Sequence, residues 1–312
     1  MIFRSGTKDD IPQIIQLLKV SLGESLTPKS EALWKWKHLD NPFGKSPVLL
    51  AEKDGEIIGV RAFLNWEFAQ NNEPLKAYRA VDTAIHPEFQ GKGIFTNLSL
   101  NLIAQIGEGG SQLIYNTPNT QSLPGYLKMG WEKWGKLPLK MKFHMGDSGS
   151  RSKELSSDWS TVQNLIRKIE VQKNLSSGFQ THKTPGFLNW RYPGCPLFPY
   201  QFISDGESYL LIFRIKEGKM GRELRITDLF TVDSFGKAQK KELNKELKSI
   251  QKQSGARFTS FSGLIYSTQK VIDLGILPVL SIGPMITLRK TGEAIDPNKL
   301  NWSWSLGDLE VF

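Results

Sequence analysis

The stretch Ala80-Val81-Asp82-Thr83-Ala84-Ile85-His86-Pro87-Glu88-Phe89-Gln90-Gly91-Lys92-Gly93-Ile94-Phe95 constrains the fold more than any other. An apolar strand runs into a tight loop, and the loop opens directly into a helix. The first turn of any helix leaves N–H groups without intrahelical acceptors. Gly91 and Gly93 allow unusual dihedrals and close backbone approach, so those donors can converge on one small volume. A pyrophosphate supplies the acceptors, and Lys92 adds positive charge. A G-x-G alone also marks ordinary turns. The loop is neither the G-x-x-x-x-G-K-[ST] nucleotide loop nor the G-x-G-x-x-G dinucleotide fingerprint, because Ile94, Phe95 and Thr96 follow Gly93.

Hydrophobic spacing extends an α/β pattern on both sides. Ile11, Ile14, Ile15, Leu18 and Leu22 recur at helical intervals after Thr7-Lys8-Asp9-Asp10, and Glu31 to Leu39 is a second helix stopped at Asn41-Pro42. Val48 to Glu52 and Glu56 to Trp66 read as strands joined at Asp54-Gly55, whose residues tolerate positive φ. Lys76 to Ile85 is a further strand, Ile94 to Ile106 a helix, Gln112 to Asn116 a strand and Ser122 to Met129 a short helix.

Residues 146–158, GDSGSRSKELSSD, read as a surface linker. The following TVQNLIRKIEVQKN has helical spacing at Val162, Leu165, Ile166 and Ile169. The second half then echoes the first. Glu31-Ala32-Leu33-Trp34-Lys35-Trp36 followed by Asn41-Pro42, then Asp54-Gly55-Glu56, is answered by Phe187-Leu188-Asn189-Trp190-Arg191-Tyr192-Pro193, then Asp205-Gly206-Glu207. Strands at 210–216, 222–230 and 256–261 and a helix at 237–252 complete a second unit. The expected organisation is 1–145, linker 146–158, and 159–312 as a duplicated α/β unit. No second loop like Gln90-Gly91-Lys92-Gly93 follows its strand, where Thr231-Val232-Asp233-Ser234-Phe235-Gly236 stands instead. One pyrophosphate site is therefore expected.

Composition narrows the remaining classes. The length of 312 residues and 39% hydrophobic content suit one large or two ordinary domains. No eighteen-residue apolar run occurs, and the start MIFRSGTKDD has no signal-peptide core; the expectation is a cytoplasmic protein without integral membrane association. Cys195 alone excludes an internal disulfide or a cysteine zinc site, and His38, His86, His144 and His182 have no ligand spacing, so no metal is expected. Cys195 reads as a packed or loop thiol. The net charge of +9 suits a polyanionic donor. It would also suit nucleic acid, but the lysines of 237–248 alternate with Glu242 and Glu246 as on a solvated helix. Most of the nine tryptophans are expected in the core or between units, and the terminal NWSWSLGDLEVF as an added edge strand.

The strand followed by H-P-E-F-Q-G-K-G-I resembles the GCN5-related N-acetyltransferase (GNAT) superfamily, whose Q/R-x-x-G-x-G/A pattern falls on Gln90, Gly91, Lys92, Gly93, Ile94 and Phe95. Phe95 departs from the small residue usual there. A second likeness spans Asn116 to Trp131, with Tyr126 and Gly130-Trp131 standing for the family's tyrosine and closing G-F. The resemblance implies a GNAT-like acyl-CoA N-acyltransferase fold, a mixed central sheet flanked by helices, in tandem. It is similar to bacterial proteins with an active N-terminal acetyltransferase domain and a degenerate second one.

That resemblance implies acetyl-CoA as donor. Backbone of Thr83, Ala84 and Ile85 would align the pantetheine arm, the Gln90–Phe95 loop would hold the diphosphate, and Asn119 would touch the arm. Tyr126 would face the sulfur, where a phenol can donate a proton to the departing thiolate. For a base, Asp82 on the donor strand is favoured over Glu67; Asp82 can equally hold a cationic acceptor or a backbone donor. His86 reads as a structural loop residue. The acceptor would be a small-molecule amine, an amino sugar or a protein amine, with no nucleic acid. Two other functions fit the same features: aminoacyl or longer-acyl transfer, and a non-catalytic CoA-binding sensor or scaffold.

Overall fold

The computed structural model describes residues 1–23, 28–71, 73–108, 110, 113–144, 157–174, 178–263, 271–292 and 296–310. Two mixed sheets carry them. The first runs in the order β1 (Ile2–Ser5), β2 (Val48–Lys53), β3 (Glu56–Gln70), β4 (Glu73–Ile85), β5 (Leu113–Asn116), β13 (Met285–Lys290), β6 (Glu132–Lys136), and the short β8 (Gln180–Thr181) pairs with the end of β3. The second runs β7 (Leu139–Phe143), β12 (Phe258–Ser262), β11 (Glu223–Thr231), β10 (Tyr209–Lys216), β9 (Gln201–Ser204). The helices are α1 (Ile11–Leu22), α2 (Glu31–His38), α3 (Ile94–Glu108), α4 (Leu123–Lys128), α5 (Gln163–Asn174), α6 (Pro185–Arg191), α7 (Lys237–Gln253) and α8 (Leu306–Leu309). None of these helices is long and apolar enough to cross a membrane.

Local chemistry explains the elements. Asp54 and Gly55 both take positive φ, 54° and 83°, and close the β2–β3 hairpin as their residue types demand. Ser30 caps α2 by accepting from Leu33 N at 3.2 Å, and Thr184 caps α6 by accepting from Phe187 N at 3.0 Å. On α3, Ile94, Leu98, Leu102 and Ile106 form one buried stripe.

In each sheet one parallel pair touches only briefly. β4 and β5 pair from Ala77–Leu113 to Arg79–Tyr115, and then β4 continues to Ile85 paired with β3. β11 and β12 pair from Glu223–Phe258 to Ile226–Phe261, after which β11 continues to Thr231.

Sheet membership crosses the segment 146–158, most of which lies outside the described residues. β13, from the C-terminal half, is inserted between β5 and β6 of the first sheet, while β7, from the N-terminal half, borders β12 in the second. The two exchanging segments cross at Leu137, which donates to Pro284 O and accepts from Gly283 N, both at 3.0 Å. The largest apolar core likewise joins the halves, uniting Trp36, Trp66 and Phe68 with Ile166, Phe187, Trp190 and Trp304.

The terminal NWSWSLGDLEVF is not the expected edge strand. Trp302 and Ser305 make single bridges to Phe179 and Gly263, and α8 follows. Asp308 turns back to accept from Ser305 N at 2.8 Å, and side chains of Arg79 and Arg191 take the carbonyls a ladder would have used.

Candidate active site

The parting of β4 from β5 opens a cleft of about 550 Å³, lined by Val81 to Ile85, Gln90, Phe95, Asn116 to Asn119, Gly125 and Tyr126. Among the described residues, no strand pairs with β4 beyond Arg79 on its β5 side. Its backbone polar groups there face the cleft, ready for an extended partner with amides of its own.

At one end lies the glycine loop. A 3-10 turn, Pro87–Phe89, leads to Gly91 and Gly93 at φ 74° and 77°, with open space where a Cβ would stand. α3 begins at Ile94, so its first N–H groups have no intrahelical acceptor. Lys92 Nζ donates to Glu88 O at 3.0 Å and lies 4.8 Å from the Phe89 ring centre, which places its charge on the loop itself. Gln90 Nε2 donates to Ile85 O at 3.2 Å, tying the loop to the strand it leaves. Phe95, the oversized residue, is accommodated by Gly125: a Cβ there would stand 3.1 Å from Phe95 Cε1. The Phe95 ring then packs edge-on to Tyr126, with centroids 5.5 Å apart.

Tyr126 is buried on α4, and its phenol oxygen accepts from Arg61 Nη1 at 2.8 Å. Arg61, on β3, was not among the residues that pattern reading singled out. It is fully buried, and the same Nη1 donates to Thr83 Oγ1. Its guanidinium carbon lies 4.6, 5.3 and 5.8 Å from the ring centres of Phe63, Tyr126 and Phe95. Among the described residues it forms no ion pair, and its Nε and Nη2 have no hydrogen-bond partner. Burying a charge without a counter-ion costs several kcal/mol, against about 2 kcal/mol recovered per desolvated cation–π contact.

Asn119 lines the cleft, but its Oδ1 already accepts from Ser122 N at 2.8 Å and Gln121 N at 3.1 Å, organising the turn into α4. Asn116 Oδ1 accepts from Thr117 N at 2.7 Å, and Thr117 Oγ1 accepts from Arg79 at 3.2 Å.

Asp82 occupies a β-bulge. Arg61 pairs with Thr83 and Ala62 with Val81, so Asp82 is the extra residue, with φ of 43°. Strand alternation therefore does not set its direction. Its carboxylate accepts from Lys37 Nζ and lies 2.8 Å from His38 Nε2, both nearly fully buried on α2. Burial opposes its ionisation, but the Lys37 ammonium and the His38 contact prevail and hold the carboxyl well below the usual range. Burial pushes the Lys37 and His38 pKa values down, with Asp82 opposing in both cases. Glu67 is absent from the cleft lining; it contacts His182 Nδ1 beside β8. His86 Nδ1 is buried without a partner, and its ring lies 5.9 Å from Phe89.

The corresponding parting in the second sheet is filled. Gly263, just past β12, bridges to Ser305, and Gly307 packs so closely on Asp228 of β11 that a Cβ would collide with that carboxylate and with the Tyr192 hydroxyl. Lys183 Nζ holds Asp308 at 2.6 Å, and Arg191 donates to Gly307 O and Glu310 O at 2.9 and 3.0 Å. The loop after β11 has also lost its donors' freedom, since Gly236 N donates to Gln239 Oε1 at 3.1 Å. Cys195 is a buried thiol packed in the shared core.

A family model for the acetyltransferase (GNAT) domain matches residues 3–134. No curated protein sequence matches the chain. Among solved structures, a GCN5-related N-acetyltransferase from Anabaena variabilis superposes with a TM-score of 0.65 at 16% identity, over 93% of this chain and 73% of that one. One from Kribbella flavida gives 0.64 at 12% identity, over 93% and 71%, and Eis1 from Mycobacterium abscessus 0.56 at 12%, over 93% and 74%. At such identities these likenesses speak for the fold. Residues 3–134 therefore carry an acetyltransferase domain of the GCN5-related N-acetyltransferase (GNAT) kind.

Proposed function

We propose that the chain transfers an acetyl group from acetyl-CoA to a primary amine of a small molecule, an amino sugar or a protein, by direct amine attack. The observation that supports this reading is the β4–β5 parting, a cavity bordered by Tyr126 and by Gln90 and Phe95, the first and last residues of the glycine-loop motif. Residues Gln90 to Phe95 would hold the donor's diphosphate, the backbone of Thr83, Ala84 and Ile85 its arm, and Asn119 would border that arm.

Tyr126 gives its proton to the departing sulfur, a role for which general acids contribute about 10²- to 10⁴-fold. Asp82 is the acidic group on the acceptor side. A carboxylate held so low by Lys37 and His38 is a weak base, so its part is to hold the acceptor's ammonium before attack. Residues 159–312 form a second, degenerate GNAT-like unit that shapes the acceptor side and carries no donor.

Turnover of acetyl-CoA against a panel of amines tests the reading, with Tyr126→Phe expected to lower kcat by about 10²-fold. Unchanged turnover in that variant removes the tyrosine's role. Coenzyme A binding with no product across the panel supports the sensor reading instead, and product only from aminoacyl or long-chain donors supports the other.

A further inference from the structure

A fully buried guanidinium without a carboxylate partner is an expensive feature to retain on a central strand. Arg61 reaches two cleft residues through one nitrogen, Thr83 Oγ1 and Tyr126 Oη, and is enclosed by the rings of Phe63, Phe95 and Tyr126. The rings screen it from solvent and leave the phenol oxygen as the site where negative charge can appear beside it. Phe95 and Gly125 complete this enclosure.

We propose that Arg61 is a positioning residue that acts through Tyr126, supplying the counter-charge for the tyrosine's phenolate. The inference rests on Tyr126 being the proton donor. As the amine nitrogen bonds to the acyl carbon and the carbon–sulfur bond breaks, the sulfur takes the electron pair and the Tyr126 proton. The phenolate left behind is paired with Arg61 at the existing hydrogen bond. The proton released by the amine goes to solvent, and a solvent proton restores the phenol. Arg61 itself loses no proton, in keeping with a guanidinium. Before the reaction, its donation to the phenol oxygen polarises the O–H toward the cleft.

The test uses the full chain with Arg61→Gln, Arg61→Lys, Tyr126→Phe and the double variant combining Arg61→Gln with Tyr126→Phe. Arg61→Gln should lower kcat with acetyl-CoA about 10- to 100-fold with KM for the donor changed by about threefold or less, a transition-state loss. With S-phenyl thioacetate, whose arenethiolate leaves without a proton, the loss should shrink to about threefold. In the Tyr126→Phe background, Arg61→Gln should cost nothing more. In titration calorimetry, the preference for coenzyme A over desulfo-coenzyme A should fall by the same factor in Arg61→Gln and in Tyr126→Phe.

Equal losses with both donors, additive losses in the double variant, or an unchanged preference for the thiol would overturn the proposal. Arg61→Lys fills most of the space and keeps the charge while losing the two-way contact. It provides the same comparisons should Arg61→Gln not fold, as judged by thermal unfolding. If Tyr126→Phe itself leaves turnover unchanged, the donor reading fails; if it slows turnover and Arg61→Gln does not, only the role of Arg61 fails.

Discussion

Trp36 and Trp190 exchange hydrogen bonds: Trp36 Nε1 donates to Trp190 O at 2.9 Å, and Trp190 Nε1 donates to Trp36 O at 2.8 Å. Their rings stack with centroids 4.6 Å apart and planes 17° from parallel. Each sits in one of the two tryptophan-bearing segments whose order is repeated along the chain, on α2 and α6. A reciprocal contact between equivalent positions is what a local two-fold relation produces. It supports the reading of two units derived by duplication.

Replacing Trp190 with phenylalanine keeps an aromatic ring but leaves the buried carbonyl of Trp36 without its donor. A loss of about 1–3 kcal/mol in urea-induced unfolding is expected. The Trp36→Phe, Trp190→Phe pair should show coupling of about 0.5–3 kcal/mol, since the two rings share one contact.

Gly93→Ala should separate binding from stability. Nothing lies within 4 Å of a Cβ at this position, so the cost to the free protein is the positive φ of 77°, about 1 kcal/mol. If the loop holds the diphosphate as proposed, the added methyl group intrudes on that contact, and calorimetry should show a loss of coenzyme A affinity of about tenfold or more.

Asp82→Asn should destabilise the chain by about 3 kcal/mol at neutral pH, because it removes the carboxylate charge that pairs with the buried Lys37 ammonium. The pH dependence has a definite sign. The Asp82 carboxyl lies lower in the folded chain than the value of about 3.9 expected when unfolded. Its contribution is therefore complete above that value and is lost as pH falls toward the folded one. The stability difference between the native chain and the Asp82→Asn variant should begin to narrow below about pH 4 and close only as pH approaches the lower, folded-state value. An unchanged KM for the amine in the variant would remove the acceptor-holding role proposed for Asp82.

Coenzyme A should bind with a stoichiometry of one per chain. The second parting is closed by Gly307 against Asp228 and Tyr192, with Lys183 and Arg191 holding the segment in place. Calorimetric titration reading two equivalent sites would show that this segment can be displaced.

Much of the first unit was legible because local chemistry decided it. The Asp54-Gly55 turn, the Ile94 stripe and the glycine loop each depend on residues within one or two turns of chain. Arg61 was invisible for the opposite reason. In a strand of continuous buried positions it is marked only by contacts with Thr83 and Tyr126, 22 and 65 residues away. The direction of Asp82 depended on a bulge, which shifts register without a signature in residue type. The tail read as a strand because Trp-Ser-Trp alternates, while the buried arginines that capture its carbonyls lie over 100 residues earlier.

The exchange of β7 and β13 makes each sheet hostage to the other half of the polypeptide. During synthesis the first sheet stays open between β5 and β6 until residue 290 has emerged. Cutting the chain between residues 144 and 157 should leave two fragments that remain clasped, whereas either fragment made separately begins with an unfilled slot and an orphaned strand. Closure of the first sheet is thereby coupled to the integrity of the other half of the chain.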